Sequence, residues 1–302
     1  MKGKILLLAL PLAFIGALCW PGGEATSQTT DPVLIGAGDI ADGFDLTLSG
    51  SLATAALLDA NPSATVFADG DLAYNNGNDT DFTKSYDPTW GRARARTIPV
   101  IGNHEYSSLN GAGYFNYFGT AAGDPTKGYY SVNLGAWHIV VINSNCSNVG
   151  GCGVGSPQEV WLKNDLTSHT QTCTLALWHH PLFTSVSSGQ GVTPDAEMRP
   201  IFQDLYTLGV DLVVDGHVHS YERFAPQDAN GTLDTAKGVV EIVAGTGGES
   251  HMSFGTIAAN SLARNATAYG VLKLTLHASS YDWQFVPIAG QTFADSGTQA
   301  CH

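Results

Sequence analysis

Five apolar runs in this chain end on a turn that combines glycine or proline with side chains able to hold a metal, and this repetition limits the fold more than any other feature. Val33–Ile35 runs into Gly38-Asp39, and Ala64–Ala68 into Gly70-Asp71-Leu72-Ala73-Tyr74. Thr97–Ile101 feeds Gly102-Asn103-His104-Glu105, Thr174–Trp178 feeds His179-His180-Pro181, and Val210–Val214 leads into Gly216-His217-Val218-His219. Short apolar runs closed by turn residues read as buried β-strands. Asp, Asn, His and Tyr gathered at strand ends suit hard to borderline metal ions. Taken singly, Asp39 and Asp71 are ordinary turn residues beside glycine, and Tyr74 is a packing tyrosine. Five such blocks in one order indicate a built site.

Helical patterns alternate with these strands at Leu46–Ala60, Pro157–Leu166 and Ala196–Leu208, the second with proline near its start. Further strands are predicted at Trp137–Asn143, Val239–Ala244, Val271–Leu276 and Trp283–Val286. The alternation predicts an α/β fold, and the late run of strands predicts a second sheet packed on the first. With 302 residues, 43% hydrophobic and 13% charged, the chain can bury a sizeable core and is not disordered. No Pro- or Ser-rich linker and no internal repeat divides the region after residue 30, so residues 31–302 read as a single catalytic domain.

Residues 1–27 differ from the rest. Lys2 and Lys4 precede the apolar run Ile5–Trp20, and Ala25-Thr26-Ser27 follow, the order of a secretory signal peptide. The rival reading, an uncleaved anchor, meets an apolar stretch short for a span of ~20 residues. Without those residues the chain keeps 11 basic and 26 acidic residues, a net charge of −15. Such a protein has no electrostatic help in binding nucleic acid, and affinity for phosphate needs a local positive centre. After Cys19 leaves with the leader, Cys146, Cys152, Cys173 and Cys301 remain, an even number in an exported chain. Three pairings are open; Cys146 and Cys152 flank a Gly-rich loop they can close locally, which leaves Cys173 to tie down the tail through Cys301.

The order and spelling of the five blocks resemble the calcineurin-like metallophosphoesterases and, within them, the purple acid phosphatases. The specific marks are Tyr74, three residues after Asp71, and the run Gly216-His217-Val218-His219-Ser220-Tyr221-Glu222-Arg223, similar to the plant-type signature of that branch. The resemblance implies a four-layer αββα sandwich of two packed mixed sheets flanked by helices, with two metal ions at one edge. It implies hydrolysis of a small phosphate ester, foremost a phosphomonoester, by a metal-bound hydroxide. Matched residue by residue, Asp71 bridges the metals, Asp39, Tyr74 and His219 complete one site, and Asn103, His179 and His217 complete the other. Fe(III) is then expected beside Tyr74, with a divalent Fe, Zn or Mn as its neighbour.

Two metals explain the donor types, since ester hydrolysis needs a hydroxide at mild pH and compensation for phosphoryl charge. His217 and His219, at spacing i and i+2, share one side of an extended segment and serve adjacent metals only if the turn twists them apart. His104 matches a general acid or phosphate-binding position, Asn103 and His180 are further substrate contacts, and His180 alternatively faces solvent. Glu105 orients His104 or shapes the turn, with the turn role favoured. His138 reads as structural, and Gly245-Thr246-Gly247-Gly248 resembles a lid loop of the family. No histidine occurs within Leu182–Met198, where plant-type relatives contact substrate. A phosphodiesterase or nucleotidase would use the same metals, and a non-catalytic binding protein would keep only the fold. Secretion is expected, with no stable membrane association after cleavage.

Overall fold

The central strands point alternate residues into two different cores, which is why they read as almost unbroken apolar runs. The computed structural model describes Met1, Gly3, residues 31–43, Asp45 and residues 47–302. The expected signal peptide lies outside the described residues apart from Met1 and Gly3, and residues 31–302 form one compact unit. In chain order the strands are β1 (Val33–Ala37), β2 (Thr65–Asp69), β3 (Thr97–Val100), β4 (Tyr130–Leu134), β5 (Trp137–Val141), β6 (Cys173–Leu177), β7 (Leu212–Asp215), β8 (Tyr221–Phe224), β9 (Val240–Ala244), β10 (Ser261–Asn265), β11 (Gly270–Leu276), β12 (Ser280–Pro287) and β13 (Ser296–Ala300). They form a six-stranded sheet in the order β13-β12-β11-β1-β2-β3 and a seven-stranded sheet in the order β10-β8-β9-β7-β6-β5-β4.

Leu34, Phe67 and Val100 of the first sheet meet Ile139, Val141, Leu175, Leu177, Leu212 and Val214 of the second in one buried cluster. Their neighbours along each strand face outward. Ile35, Val66 and Ala68 pack with Ala55 and Leu58 of the helix Ser49–Asp59. Val140, Ala176 and Val213 pack with Leu162 of the helix Pro157–Ser168 and with Ile201, Phe202 and Leu205 of the helix Arg199–Thr207. The layers are therefore helix, sheet, sheet, helix: the four-layer αββα sandwich that the family resemblance implies. Both sheets are mixed, with β1, β2 and β3 parallel in one and β5, β6, β7 and β9 parallel in the other.

Three expectations need correction. The late strands do not make a sheet of their own. β9 and β10 join the second sheet, while β11 returns to pair antiparallel with β1 and brings β12 and β13 with it. The first helix starts at Ser49 rather than Leu46, after Asp45 accepts from the backbone N–H groups of Thr47 and Ser49. Residues 196–198 form a separate 3₁₀ turn capped by Asp195 ahead of the helix Arg199–Thr207. Strands β4, β8, β10 and β13 lack an apolar run that would announce them. Among the described residues no helix is long and apolar enough to cross a membrane.

Disulfides join Cys146 to Cys152 and Cys173 to Cys301. Their sequence separations are 6 and 128, so they close loops of very different entropy. Chain-entropy reasoning gives about 2 kcal/mol for the short loop and about 5 kcal/mol for the long one. Denaturant unfolding of Cys173→Ser/Cys301→Ser and of Cys146→Ser/Cys152→Ser should therefore show the larger loss in the first pair. The opposite order would mean that local packing, not loop closure, sets the stabilisation.

Candidate metal centre

The five turns follow the carboxyl ends of β1, β2, β3, β6 and β7, so parallel strands of both sheets deliver them to one edge. Backbone hydrogen bonds lock that edge. The Gly38 N–H donates to Ala244 O, Asp39 N–H to Gly70 O and Gly216 N–H to His179 O, each at 3.0 Å. Asp39, Asp71 and His217 have φ of 58°, 52° and 64°, a left-handed conformation that costs energy for any residue with a Cβ. Three candidate ligands are thus held in strained turns. Gly70 and Gly102 make the approach possible, since a Cβ on them would lie 2.2 Å from His179 Nδ1 and 2.1 Å from Asp71 Oδ1.

Glu105 carries this arrangement. Its buried carboxylate accepts from the N–H groups of Gly102 (2.9 Å), Asp71 (3.0 Å), Leu72 (2.9 Å) and Ala73 (3.3 Å), which fastens the β2 and β3 turns together. Burial and then the nearby Asp71 carboxylate push the acid up to about 7, against the pull of those N–H donors. No contact with His104 is present, so of its two roles the structure displays the turn-shaping one.

Six of the seven sequence-predicted ligands gather in two touching groups, and His180, expected as a substrate contact, joins the second. In the first, the Tyr74 hydroxyl lies 3.0 Å from Asp39 Oδ1, 3.2 Å from Asp71 Oδ2 and 3.3 Å from His219 Nε2. In the second, His179 Nε2 lies 3.1 Å from Asp71 Oδ2, and one ring nitrogen each of His179, His180 and His217 falls within 4.8 Å of the others. Asp71 belongs to both groups. Asn103 precedes His104, whose backbone N–H donates to Asp71 Oδ1 at 2.9 Å. His217 and His219 do diverge: Val218 N–H donates to Gly216 O and Ser220 N–H to Val218 O, successive tight turns that replace the extended segment.

This donor set fits a pair of cations. His179 Nδ1 sits 2.9 Å from Asp69 O and His219 Nδ1 2.7 Å from Ser250 O. A carbonyl only accepts, so both Nδ1 atoms carry the hydrogen and both Nε2 atoms are free to ligate. Those Nε2 atoms face carboxylate oxygens, lone pair toward lone pair, unless a proton or a metal lies between. Without a metal, protons fill the role. Burial opposes charging His179 and His219, yet Asp71 pushes the first up to about 10 and Asp39 the second up to about 9. Burial, then Asp39 and Asp71, hold the Tyr74 phenol well above its ordinary value, so a phenolate there needs a cation. Asp39 Oδ2 and Asn103 Oδ1 are buried with no hydrogen-bond partner.

The remaining residues divide cleanly. The His104 ring packs against Tyr74 at a tilt of 53°, with ring centroids 4.3 Å apart, and its Nδ1 lies 2.6 Å from Asn75 O. His180 is fixed by Ser144, whose hydroxyl meets its backbone N–H at 3.0 Å and its Nδ1 at 2.8 Å; sequence reasoning did not single out Ser144. The carbonyls of Asp69, Ser250 and Asn75 were equally invisible, since a backbone group leaves no residue signature. His138, expected to be structural, is held between Asn133 and Asp165 and stacks on His169, and these three groups, His138, Asp165 and His169, lie close enough together to hold a metal ion. The Gly245–Gly248 segment is buried, and Gly247 N–H donates to Gly38 O at 2.9 Å. It forms a wall of the β1 turn, not a lid.

The family model for calcineurin-like phosphoesterases matches residues 38–221. A probable purple acid phosphatase 20 of Arabidopsis thaliana is 30% identical over 141 residues, which cover 45% of this chain and 32% of that protein. Purple acid phosphatase 1 of Ipomoea batatas is 30% identical over 176 residues, or 51% of this chain and 35% of that one. The matched stretches therefore span about a third of those relatives. Purple acid phosphatase PPD1 from yellow lupin seeds shares the fold with a TM-score of 0.74 at 20% identity, covering 90% of this chain and 54% of its own. GAP50, described as the anchor in the inner membrane complex of Plasmodium, does so with a TM-score of 0.67 at 14% identity, covering 90% of both chains.

Glu105→Ala should lower the unfolding free energy by about 3–5 kcal/mol, because several buried N–H groups lose their acceptor together. Urea unfolding in excess chelator isolates this effect from metal binding. A loss under about 1 kcal/mol, within the range of ordinary surface substitutions, would show that Glu105 does not tie the two turns.

Proposed function

The chain belongs to the calcineurin-like phosphoesterase family, and on that premise we propose that it is an exported, binuclear metal-dependent phosphomonoesterase of the purple acid phosphatase kind. The observation that carries this reading is Asp71, whose Oδ2 lies 3.2 Å from the Tyr74 hydroxyl and 3.1 Å from His179 Nε2. Asp39, Tyr74 and His219 would hold one ion with it, and Asn103, His179 and His217 the second. The Tyr74 phenol suits Fe(III) in the first position, and the mixed N and O donors of the second suit divalent Fe, Zn or Mn. When bound, such ions supply Lewis acidity, lowering the pKa of water and neutralising phosphoryl charge.

The chain's own groups do the rest. The Asn103 amide can ligate through Oδ1 while its NH₂ group donates to a phosphoryl oxygen. His104 Nδ1–H donates to Asn75 O, which directs Nε2 toward the Asp71 side, 3.9 Å from Oδ2. Protonated at Nε2, it can hand that proton to the departing alkoxide. Cys146–Cys152 and Cys173–Cys301, with the amino-terminal charge and apolar pattern, support passage to an oxidising compartment. A phosphodiesterase or nucleotidase would use the same donors with a different pocket. An anchoring role such as that of GAP50 would tolerate the loss of donors, whereas all seven stand in this chain.

His104→Ala should retain metal but slow alkyl phosphate hydrolysis by about 10²–10⁴-fold, the usual weight of general acid catalysis. Aryl phosphates with acidic phenols, which need little protonation, should lose far less. Equal losses on both, with chemistry rate-limiting, would assign His104 to phosphate binding instead. Tyr74→Phe should abolish a visible charge-transfer band; a band that survives the change would remove Tyr74 from the ferric site.

A further inference from the structure

A cavity of about 370 Å³ opens directly from the candidate metal centre, with His180 and His217 in its wall. Its outer wall is the segment Gly191–Glu197, which contributes Asp195 and Glu197. No lysine or arginine lines it. The wall is attached at both ends. Asp195 N–H donates to Pro181 O at 2.8 Å, in the turn that carries His179 and His180, and the Asp195 carboxylate accepts from Glu197 N–H at 3.0 Å. Val192 is buried with Val186, Val218 and Phe224, which anchors the other end beside His217 and His219. A second cavity, about 280 Å³ beside Tyr74, is also acidic, with Asp42, Asp45 and Asp81 against a single Lys84.

Phosphoryl oxygens are drawn to the cations, so the alcohol portion of an ester must extend into an opening beside them. We propose that the cavity beside His180 and His217 receives that alcohol, and that Asp195 and Glu197 select esters whose alcohol carries an ammonium group over esters that carry further anionic groups. This specificity rests on the phosphoesterase reading and narrows it to a substrate class. Each carboxylate changes the affinity of a charged group near a protein surface by about three- to tenfold, with an effect that fades over a Debye length of about 10 Å at 0.1 M salt. The chain's net charge of −14 acts in the same direction, so only substitution of the two residues isolates the cavity's share.

The test is calorimetric binding of three matched aryl phosphonates to the metal-loaded protein at low ionic strength. Their para substituents are trimethylammoniomethyl, sulfonatomethyl and methyl, and no turnover is needed. The cationic probe should bind at least tenfold more tightly than the anionic one. Asp195→Asn/Glu197→Gln, which keeps the capping hydrogen bond, should shrink that ratio by about fivefold or more and leave the neutral probe within twofold. An unchanged ratio, a preference for the anionic probe, or failure of all three to bind overturns the proposal. Discrimination that persists while the neutral aryl phosphate goes unhydrolysed would instead strike at the phosphoesterase reading.

Discussion

Negative charge and lone pairs converge at the edge of this sandwich, where imidazoles rather than lysine or arginine pair with the buried carboxylates, and much of the local structure follows from holding them there. Asp39, Asp71 and Tyr74 meet within 3.2 Å in a buried setting, and two imidazole Nε2 atoms point at the same carboxylates. An uncompensated cluster of this kind is costly, and burying it requires protons or cations. The backbone strain at Asp39, Asp71 and His217, the two crowded glycines and the four N–H groups converging on Glu105 all keep the cluster from relaxing apart.

The sandwich makes that confinement possible. Five parallel strands end at one edge, and their side chains alternate between the core shared by the sheets and the cores under the helices. The turns beyond them inherit a rigid origin. Loops between strands and helices usually carry function because a packed scaffold positions them, and here scaffolds from both sheets contribute. Backbone hydrogen bonds from Gly38 N–H to Ala244 O and from Gly247 N–H to Gly38 O stitch the two edges together.

The strand ends were legible from sequence because each joins an apolar run, which reports burial on both faces, to a turn rich in glycine and metal-binding side chains. Edge strands were not, since β10 and β13 alternate exposed and half-buried residues, mostly small or polar, that resemble loop. The membership of β11 was equally hidden. Its apolar pattern reports burial but says nothing of a partner, β1, more than 200 positions earlier in the chain. Donor types were visible at Asp39, Asp71, Tyr74, Asn103, His179, His217 and His219, whereas the orienting groups were mostly backbone carbonyls. Glu105 lay in between: its spelling favoured a role in shaping the turn over orienting His104, and only the fold reveals the four N–H groups gathered on its carboxylate.

Fold likeness alone would not decide between an enzyme and an anchoring protein, since sites are grafted on folds. The donor set decides which side this chain favours, and Asp71 is its hinge. Elemental analysis of the wild-type protein beside its Asp71→Ala variant, with circular dichroism to verify folding of both, tests this most directly. A bridging Asp71 predicts about two metal ions per chain in the wild type and none in the folded variant. One ion retained by the variant, or a wild type that hydrolyses phosphate esters at full rate while metal-free, would contradict the account.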